Sequence, residues 1–203
     1  MKRNKLLLVL KIILYPFYRL LFWYSVTGLE NIPLTGGVIF SSNHISYLDP
    51  VLWIIVIRRR IRFMAKQELF KNPLLGWFLR RMDVFGIERG GGDMAAVKTA
   101  IRVVRNGEIL GLYPEGTRSK DGQPGRAKTG VALIAKAAKC DVVPAAVICR
   151  GKMRLFKRVK LVVGKPVSYQ EIVSRAPDNS RESLRAAADY IMEQITTLWE
   201  QHQ

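Results

Sequence analysis

From residue 28 onward the chain alternates short apolar runs with stretches of helical period. Val38-Ile39-Phe40-Ser41, following Gly36-Gly37, has the pattern of a buried strand, and so do Ile61–Ala65, Val84–Ile87, Ile109–Tyr113, Val142–Ile148 and Lys160–Val163. Between them lie helical segments. One opens at Asp49-Pro50, with proline in the first turn, where its missing N–H does no harm. Glu68–Arg81 is helical in parts and broken at Asn72-Pro73. The segment after Asp93, a candidate N-cap, carries Ala96, Val97, Ala100, Ile101 and Val104 and stops at Asn106-Gly107. Lys128–Lys139 forms a small-residue helix. A last helix starts near Asn179 or Ser180, and its stripe of Leu184, Ala188, Ile191, Ile195 and Leu198 is read as core packing. Strands alternating with helices of roughly 10–14 residues predict an α/β fold, a mixed and largely parallel sheet flanked by helices.

The first 27 residues do not follow this pattern. Leu6–Val26 is apolar and aromatic, but Lys11 and Arg19 interrupt it and Pro16 would kink or end a helix. No small-residue cleavage site follows, which argues against a signal peptide. Cations set among Phe17, Phe22, Trp23 and Tyr24 suit an interfacial helix or a broken helical pair lying in the headgroup layer. A helix packed on the domain and a true membrane span are the competing readings. The expected division is therefore an interfacial, membrane-docking helical segment over 1–27 and the α/β domain over 28–203.

Composition narrows the function. In 203 residues, 49% hydrophobic and 24% charged, there is material for one packed domain and no case for wholesale disorder. Two cysteines, Cys140 and Cys149, are too few for a disulfide framework or a cysteine-rich zinc site, and no metal site or bound cofactor is expected. The net charge of +17 calls for an anionic partner. Basic residues are interleaved with bulky apolar ones in 1–26 and 150–165, and Arg58, Arg59, Arg60 and Arg62 sit between two apolar runs. That mixture suits an anionic membrane surface, where each cation contributes about 1 kcal/mol. No zinc finger, RNP motif or basic region with heptads is present, so nucleic acid is not the expected partner.

Of two histidines, His202 lies at the end of the chain, which leaves His44 in Ser42-Asn43-His44-Ile45-Ser46-Tyr47-Leu48-Asp49. An imidazole suits proton abstraction near neutrality, and a carboxylate on its other ring nitrogen fixes the tautomer. Asp49 is a candidate for that carboxylate. Residues five apart on a regular helix point about 140° away from each other. The pair can meet only where a loop turns into a helix, as Pro50 implies. A second cluster, Tyr113-Pro114-Glu115-Gly116-Thr117-Arg118-Ser119, follows a buried strand. Its backbone N–H groups, Thr117 and Arg118 suit an anion, although the same residues also fit a plain β-turn. Arg89 follows another strand and is placed to join the same pocket. No Gly-x-Ser-x-Gly, Walker loop or Gly-x-Gly-x-x-Gly occurs, and no serine or cysteine beside His44 suits a covalent intermediate.

These residues resemble the glycerolipid acyltransferases, in particular the bacterial 1-acyl-glycerol-3-phosphate type. Asn43-His44-Ile45-Ser46-Tyr47-Leu48-Asp49 is similar to the family's Asn-His-x4-Asp block. Phe85-Gly86-Ile87-Glu88-Arg89 is similar to the second block, Tyr113–Ser119 to the Phe-Pro-Glu-Gly-Thr-Arg-Ser block, and Val142-Val143-Pro144-Ala145-Ala146 to the apolar proline block. The departures, Glu88 for the usual Asp or Asn and Tyr113 for Phe, are mild. The blocks span about Gly28 to Lys165.

The resemblance implies acyl transfer from acyl-CoA or acyl carrier protein to the sn-2 hydroxyl of lysophosphatidic acid, giving phosphatidic acid. It implies His44 as general base oriented by Asp49. It also implies Arg89, Gly116, Thr117 and Arg118 around the acceptor's phosphate, with Glu115 ordering that loop. Asn43, Lys66 and Lys128 join the substrate-binding set on the same grounds. The implied setting is the cytoplasmic face of the cell membrane, peripheral or monotopic. Two alternatives stand beside it. One is the same chemistry on glycerol 3-phosphate, another lysophospholipid or a lyso-aminolipid. The other is a non-enzymatic basic membrane-surface protein, which would leave His44, Asp49 and Glu115 without a role.

Overall fold

The computed structural model describes residue 16 and residues 23–87, 94–151, 153 and 156–203. Among these, seven strands form one sheet: β1 (Trp23–Thr27), β2 (Val38–Ser42), β3 (Ile61–Lys66), β4 (Phe85–Ile87), β5 (Ile109–Leu112), β6 (Val142–Cys149) and β7 (Arg158–Val163), in the order β1-β7-β6-β2-β5-β3-β4. Neighbours from β6 across to β4 run parallel. β7 is antiparallel to β6, and β1 pairs parallel with β7. The helices are α1 (Asp49–Val56), α2 (Pro73–Arg81), α3 (Met94–Arg105), α4 (Gly130–Ala138), α5 (Tyr169–Arg175) and α6 (Arg181–Gln201).

Both faces of the central strands are apolar, as a parallel sheet covered on both sides requires. Ile39, Leu110 and Val142 point into the core under α3, α4, α5 and α6. The alternate residues Phe40, Ile109 and Val143 point into the opposite core with Leu52, Trp53 and Met82 of the α1 and α2 side. Phe40 and Trp53 meet edge to face at 4.8 Å, an arrangement that adds about 0.5–1.5 kcal/mol to their burial. The stripe expected on the last helix is buried at Leu184, Ala188, Ile191 and Ile195.

Three expectations need correction. Trp23–Thr27 is not part of a helical segment: it is an edge strand whose Tyr24 is buried while Trp23 and Ser25 face outward. The bulky aromatic and β-branched residues of this stretch favour a pleated surface. The rest of the proposed docking segment, Pro16 apart, lies outside the described residues. Within the basic stretch 150–165, strand β7 alternates exposed Arg158 and Lys160 with buried Val159, Leu161 and Val163. Those apolar residues are core and unavailable to a bilayer. Helix α5 was not anticipated. Its capping box is complete, with Ser168 Oγ accepting from the Glu171 N–H and Glu171 accepting from the Ser168 N–H.

Register places the site. Ser41 of β2 stands opposite Leu112 of β5, and Ser42 opposite Ala145 of β6. The segments that leave β2 and β5 therefore emerge side by side at the C-terminal edge of the sheet, where parallel α/β sheets hold their ligands.

Candidate active site

His44 leaves β2 two residues past its end, and Asp49 is the first residue of α1. The loop between them turns into the helix and brings the side chains together, with Asp49 Oδ2 2.8 Å from His44 Nδ1. Asp49 is fully buried, and the same oxygen accepts the backbone N–H groups of Ile45 and Ser46 at 2.7 and 2.8 Å. Three donors on one carboxylate oxygen fix the turn and the imidazole at once. A carboxylate on Nδ1 selects the tautomer protonated there and leaves the lone pair on Nε2. His44 keeps 14% of its side chain exposed, whereas the Asp49 side chain is fully covered.

The Tyr113–Ser119 segment packs directly against this loop. Glu115 Oε1 accepts the His44 backbone N–H at 3.0 Å, and its other oxygen accepts from Gly125 at 3.1 Å. The Ser119 N–H donates to the His44 carbonyl at 2.7 Å. Glu115 is buried, and desolvation raises its pKa against the lowering effect of the His44 and Gly125 N–H bonds. It ties the loop after β2 to the loop after β5 and braces the latter on itself through Gly125. The Tyr113 ring stacks on the imidazole, centroids 4.0 Å apart and planes 14° apart, with Phe63 stacked beyond it at 5.5 Å.

Gly116 adopts φ +69°, and a Cβ there would come within 2.8 Å of Lys128 Nζ. The left-handed turn favours glycine here, and the exposed Lys128 side chain lies close across it. Thr117, Arg118 and Lys128 are exposed, so two cations and a hydroxyl surround this turn. The Arg118 guanidinium lies 3.5 Å from the centre of the Tyr47 ring. Tyr47 occupies a variable position of the Asn-His-x4-Asp block, and its support of Arg118 was not anticipated. An aromatic between His44 and Asp49 is the signal the sequence offers.

Not every expected residue meets here as expected. Asn43 is fully buried, and its amide is engaged by Val147, donating to the carbonyl at 2.9 Å and accepting from the N–H at 2.7 Å. It anchors the His44 loop to β6 and cannot reach substrate, which corrects its placement in the substrate-binding set. Lys66 is exposed at the C-terminal end of β3, on the edge of the sheet that bears the site. Arg89 lies outside the described residues. Cys149, at the end of β6, has its thiol pKa raised by burial, with Lys157 opposing, so it is a protonated and poor nucleophile. Among the described residues no group of His, Cys, Asp or Glu could hold a metal ion.

Comparison with known proteins gives the family. Residues 24–148 match the Acyltransferase family. The chain is 33% identical over 179 residues to 1-acyl-sn-glycerol-3-phosphate acyltransferase of Bacillus subtilis, covering 86% of this chain and 87% of that one. It is 31% identical over 165 residues to the chloroplastic enzyme LPAT1 of Arabidopsis thaliana, covering 76% of this chain and 45% of that one. The crystal structure of the 1-acyl-sn-glycerophosphate acyltransferase PlsC from Thermotoga maritima superposes with a TM-score of 0.74 at 26% identity, over 98% of this chain and 78% of that one. With its buried dyad beside a basic glycine turn, the chain belongs to the 1-acyl-sn-glycerol-3-phosphate acyltransferase family.

Proposed function

We propose that this protein moves a fatty acyl group from a thioester, acyl-CoA or acyl carrier protein, to the sn-2 hydroxyl of 1-acyl-glycerol 3-phosphate. The observation that carries the reading is the buried Asp49 on His44 Nδ1 beside the Gly116–Arg118 turn. His44 Nε2 takes the proton of the acceptor hydroxyl as its oxygen attacks the thioester carbonyl. Collapse of the tetrahedral intermediate breaks the C–S bond, and the departing thiolate recovers the proton from the imidazolium. The carbonyl carbon exchanges sulfur for oxygen, and no protein acyl ester forms. A thioester is already activated, so one aligned base contributing roughly 10²–10⁴-fold is adequate when positioning supplies the rest.

The acceptor's phosphate is assigned to the Gly116 turn, with Thr117 donating, Arg118 binding bidentately and Lys128 adding charge. Arg89 joins this set by resemblance alone. The acceptor keeps its acyl chain in the bilayer, so the enzyme works peripherally at the cytoplasmic face. No helix among the described residues is long and apolar enough to cross a membrane.

Turnover of labelled acyl-CoA with lysophosphatidate tests the reading. Parent protein should form phosphatidate, and His44→Ala should not, with unchanged thermal unfolding. Retained turnover in the variant would remove the base from the mechanism.

A further inference from the structure

We infer that helix α2 is a membrane-contact element in its own right, its outer face seating in an anionic lipid surface beside the active site. The helix buries one side: Met82 is in the core, Phe78 and Leu79 pack against it, and Gly76 is buried where a Cβ would meet the Phe70 carbonyl oxygen at 2.7 Å. The opposite side of a helix on a water-facing surface is ordinarily polar. Here Leu74 is 81% exposed and Trp77 54%. Leu74, Trp77 and Arg81 follow the i, i+3, i+7 spacing of a single helical face.

Placement and charge say what covers that face. Strand β3 ends at Lys66 on the edge of the sheet that bears the site. The 3-10 turn Gln67–Phe70 and the first turn of α2 follow at once. The far end of the helix leads to Asp83, which pairs with Arg60 just before β3 begins, at the opposite edge. The exposed apolar residues therefore lie in the half of α2 nearest the site. Helical side chains lean toward the N-terminus. Accordingly Arg81 reaches back over the Trp77 ring at 5.5 Å, and Arg80 over Phe70 at 6.0 Å.

From Arg58 to Met82 there are eight basic residues and one acid, Glu68. An aromatic and leucine tip framed by Lys71, Arg80 and Arg81 complements a surface with apolar chains below and phosphates above. A protein partner would have to supply both a greasy socket and an acidic rim. The acceptor of the proposed reaction explains why a site would need such contact, but binding itself does not depend on that acceptor.

The full chain is mixed with vesicles of phosphatidylcholine, with or without phosphatidylglycerol, and flotation measures partitioning. Leu74→Ser/Trp77→Ser should lower partitioning at least tenfold on both compositions, and Lys71→Gln/Arg81→Gln only where phosphatidylglycerol is present. Brominated phosphatidylcholine should quench a tryptophan component of the folded parent that Trp77→Phe lacks. Partitioning within twofold of parent, or vesicle-bound protein in which Trp77 escapes quenching, would overturn the inference and give this face to the chain's own residues. A concentration-dependent dimer in light scattering, abolished by the serine substitutions, would overturn it in favour of a second copy. None of these readouts uses turnover, so a failed acyl-transfer assay leaves them standing.

Discussion

The Tyr113 ring lies face to face with the His44 imidazole, centroids 4.0 Å apart, and the same ring rests on Phe63. Asp49 fixes one ring nitrogen, and the stack fixes the plane. Aromatic pairs of this kind contribute about 0.5–1.5 kcal/mol beyond burial. Tyr113→Leu should therefore lower kcat roughly 2–12-fold on that energy scale while leaving the acceptor KM near its parent value. Tyr113→Phe should restore kcat. The hydroxyl is buried without a partner among the described residues, a situation that costs about 1–3 kcal/mol. Tyr113→Phe should thus also raise Tm by a few degrees, read by calorimetry. Burial, reinforced by Asp49, holds the phenol well above its ordinary pKa. It stays neutral, and Tyr113→Phe should leave the pH–rate profile unmoved.

Asp49 has two tasks on one oxygen, and a substitution separates them. Asp49→Asn keeps an acceptor for the Ile45 and Ser46 N–H groups but loses the charge that selects the Nδ1-protonated tautomer. Its kcat should fall roughly 10²–10⁴-fold, the range of general-base assistance, with a modest loss of Tm. Asp49→Ala removes both functions and should unfold at a clearly lower temperature than Asp49→Asn. Equal melting of the two variants would mean that the turn does not depend on this carboxylate.

Arg118 is exposed, and an exposed guanidinium on a flexible stem pays entropy to hold a ligand. The Tyr47 ring 3.5 Å away offsets that cost by holding the planar group in place. Tyr47→Ala should raise the acceptor KM about 3–10-fold, the equivalent of a cation–π contact of ~1 kcal/mol, with kcat nearly unchanged. Tyr47→Phe keeps the ring and should keep the KM. In Arg118→Ala, already weak in acceptor binding, adding Tyr47→Ala should cost little more.

Much of this was legible before any coordinates. Strand and helix periods identified six of the seven strands, and the loop-to-helix geometry demanded of His44 and Asp49 is what forms. The edge strand Trp23–Thr27 was hidden by the apolar residues before it, although Tyr24 and Val26 alternate with Ser25 and Thr27. The Ser168-x-x-Glu171 spacing is the local signature of α5, a capping box without a long apolar stripe behind it. Asn43 could not be read correctly at all. Its partner Val147 is 104 residues away, and a buried asparagine that satisfies a distant strand leaves no local signature. The bond between Glu115 and the His44 N–H, across 71 residues, is equally silent in spacing.

Glu115 gives the stability a pH dependence with a defined sign. Desolvation raises its folded pKa above the ordinary 4.5, so over that interval the folded state binds more protons than the unfolded one. Stability from this group then falls as pH rises from about 4.5 through the folded pKa, and is level above it. Glu115→Gln cannot titrate and keeps one acceptor oxygen for the His44 N–H. The Tm of parent relative to Glu115→Gln should therefore decline across this acid window and flatten toward neutrality. A relative Tm that climbs with pH would show the two backbone bonds outweighing burial and place the folded pKa below 4.5.

At the opposite edge of the sheet from His44, Arg60 donates to Asp83 at 2.8 Å and to Glu108 at 2.9 Å, joining the residues that lead into β3, β4 and β5. Both carboxylates keep under a tenth of their side-chain surface exposed, whereas Arg60 keeps about a third. Removing the cation strands two nearly buried negative charges, with Arg62, 3.4 Å from Glu108, the one cation still paired to them among the described residues. A fully buried pair broken in this way loses about 3–5 kcal/mol, and the partial exposure of Arg60 brings the expectation down to about 2–4 kcal/mol for Arg60→Ala. Arg60→Lys replaces the fork with a point charge that cannot serve both carboxylates, so it should recover part of that loss and not all of it. The cluster lies a full strand length from the catalytic edge. Urea unfolding should thus show the drop, while kcat and KM at 25 °C, referred to folded protein, stay at parent values. A parallel fall in kcat would show that order in the sheet's far edge is transmitted along β5 to the Gly116 turn.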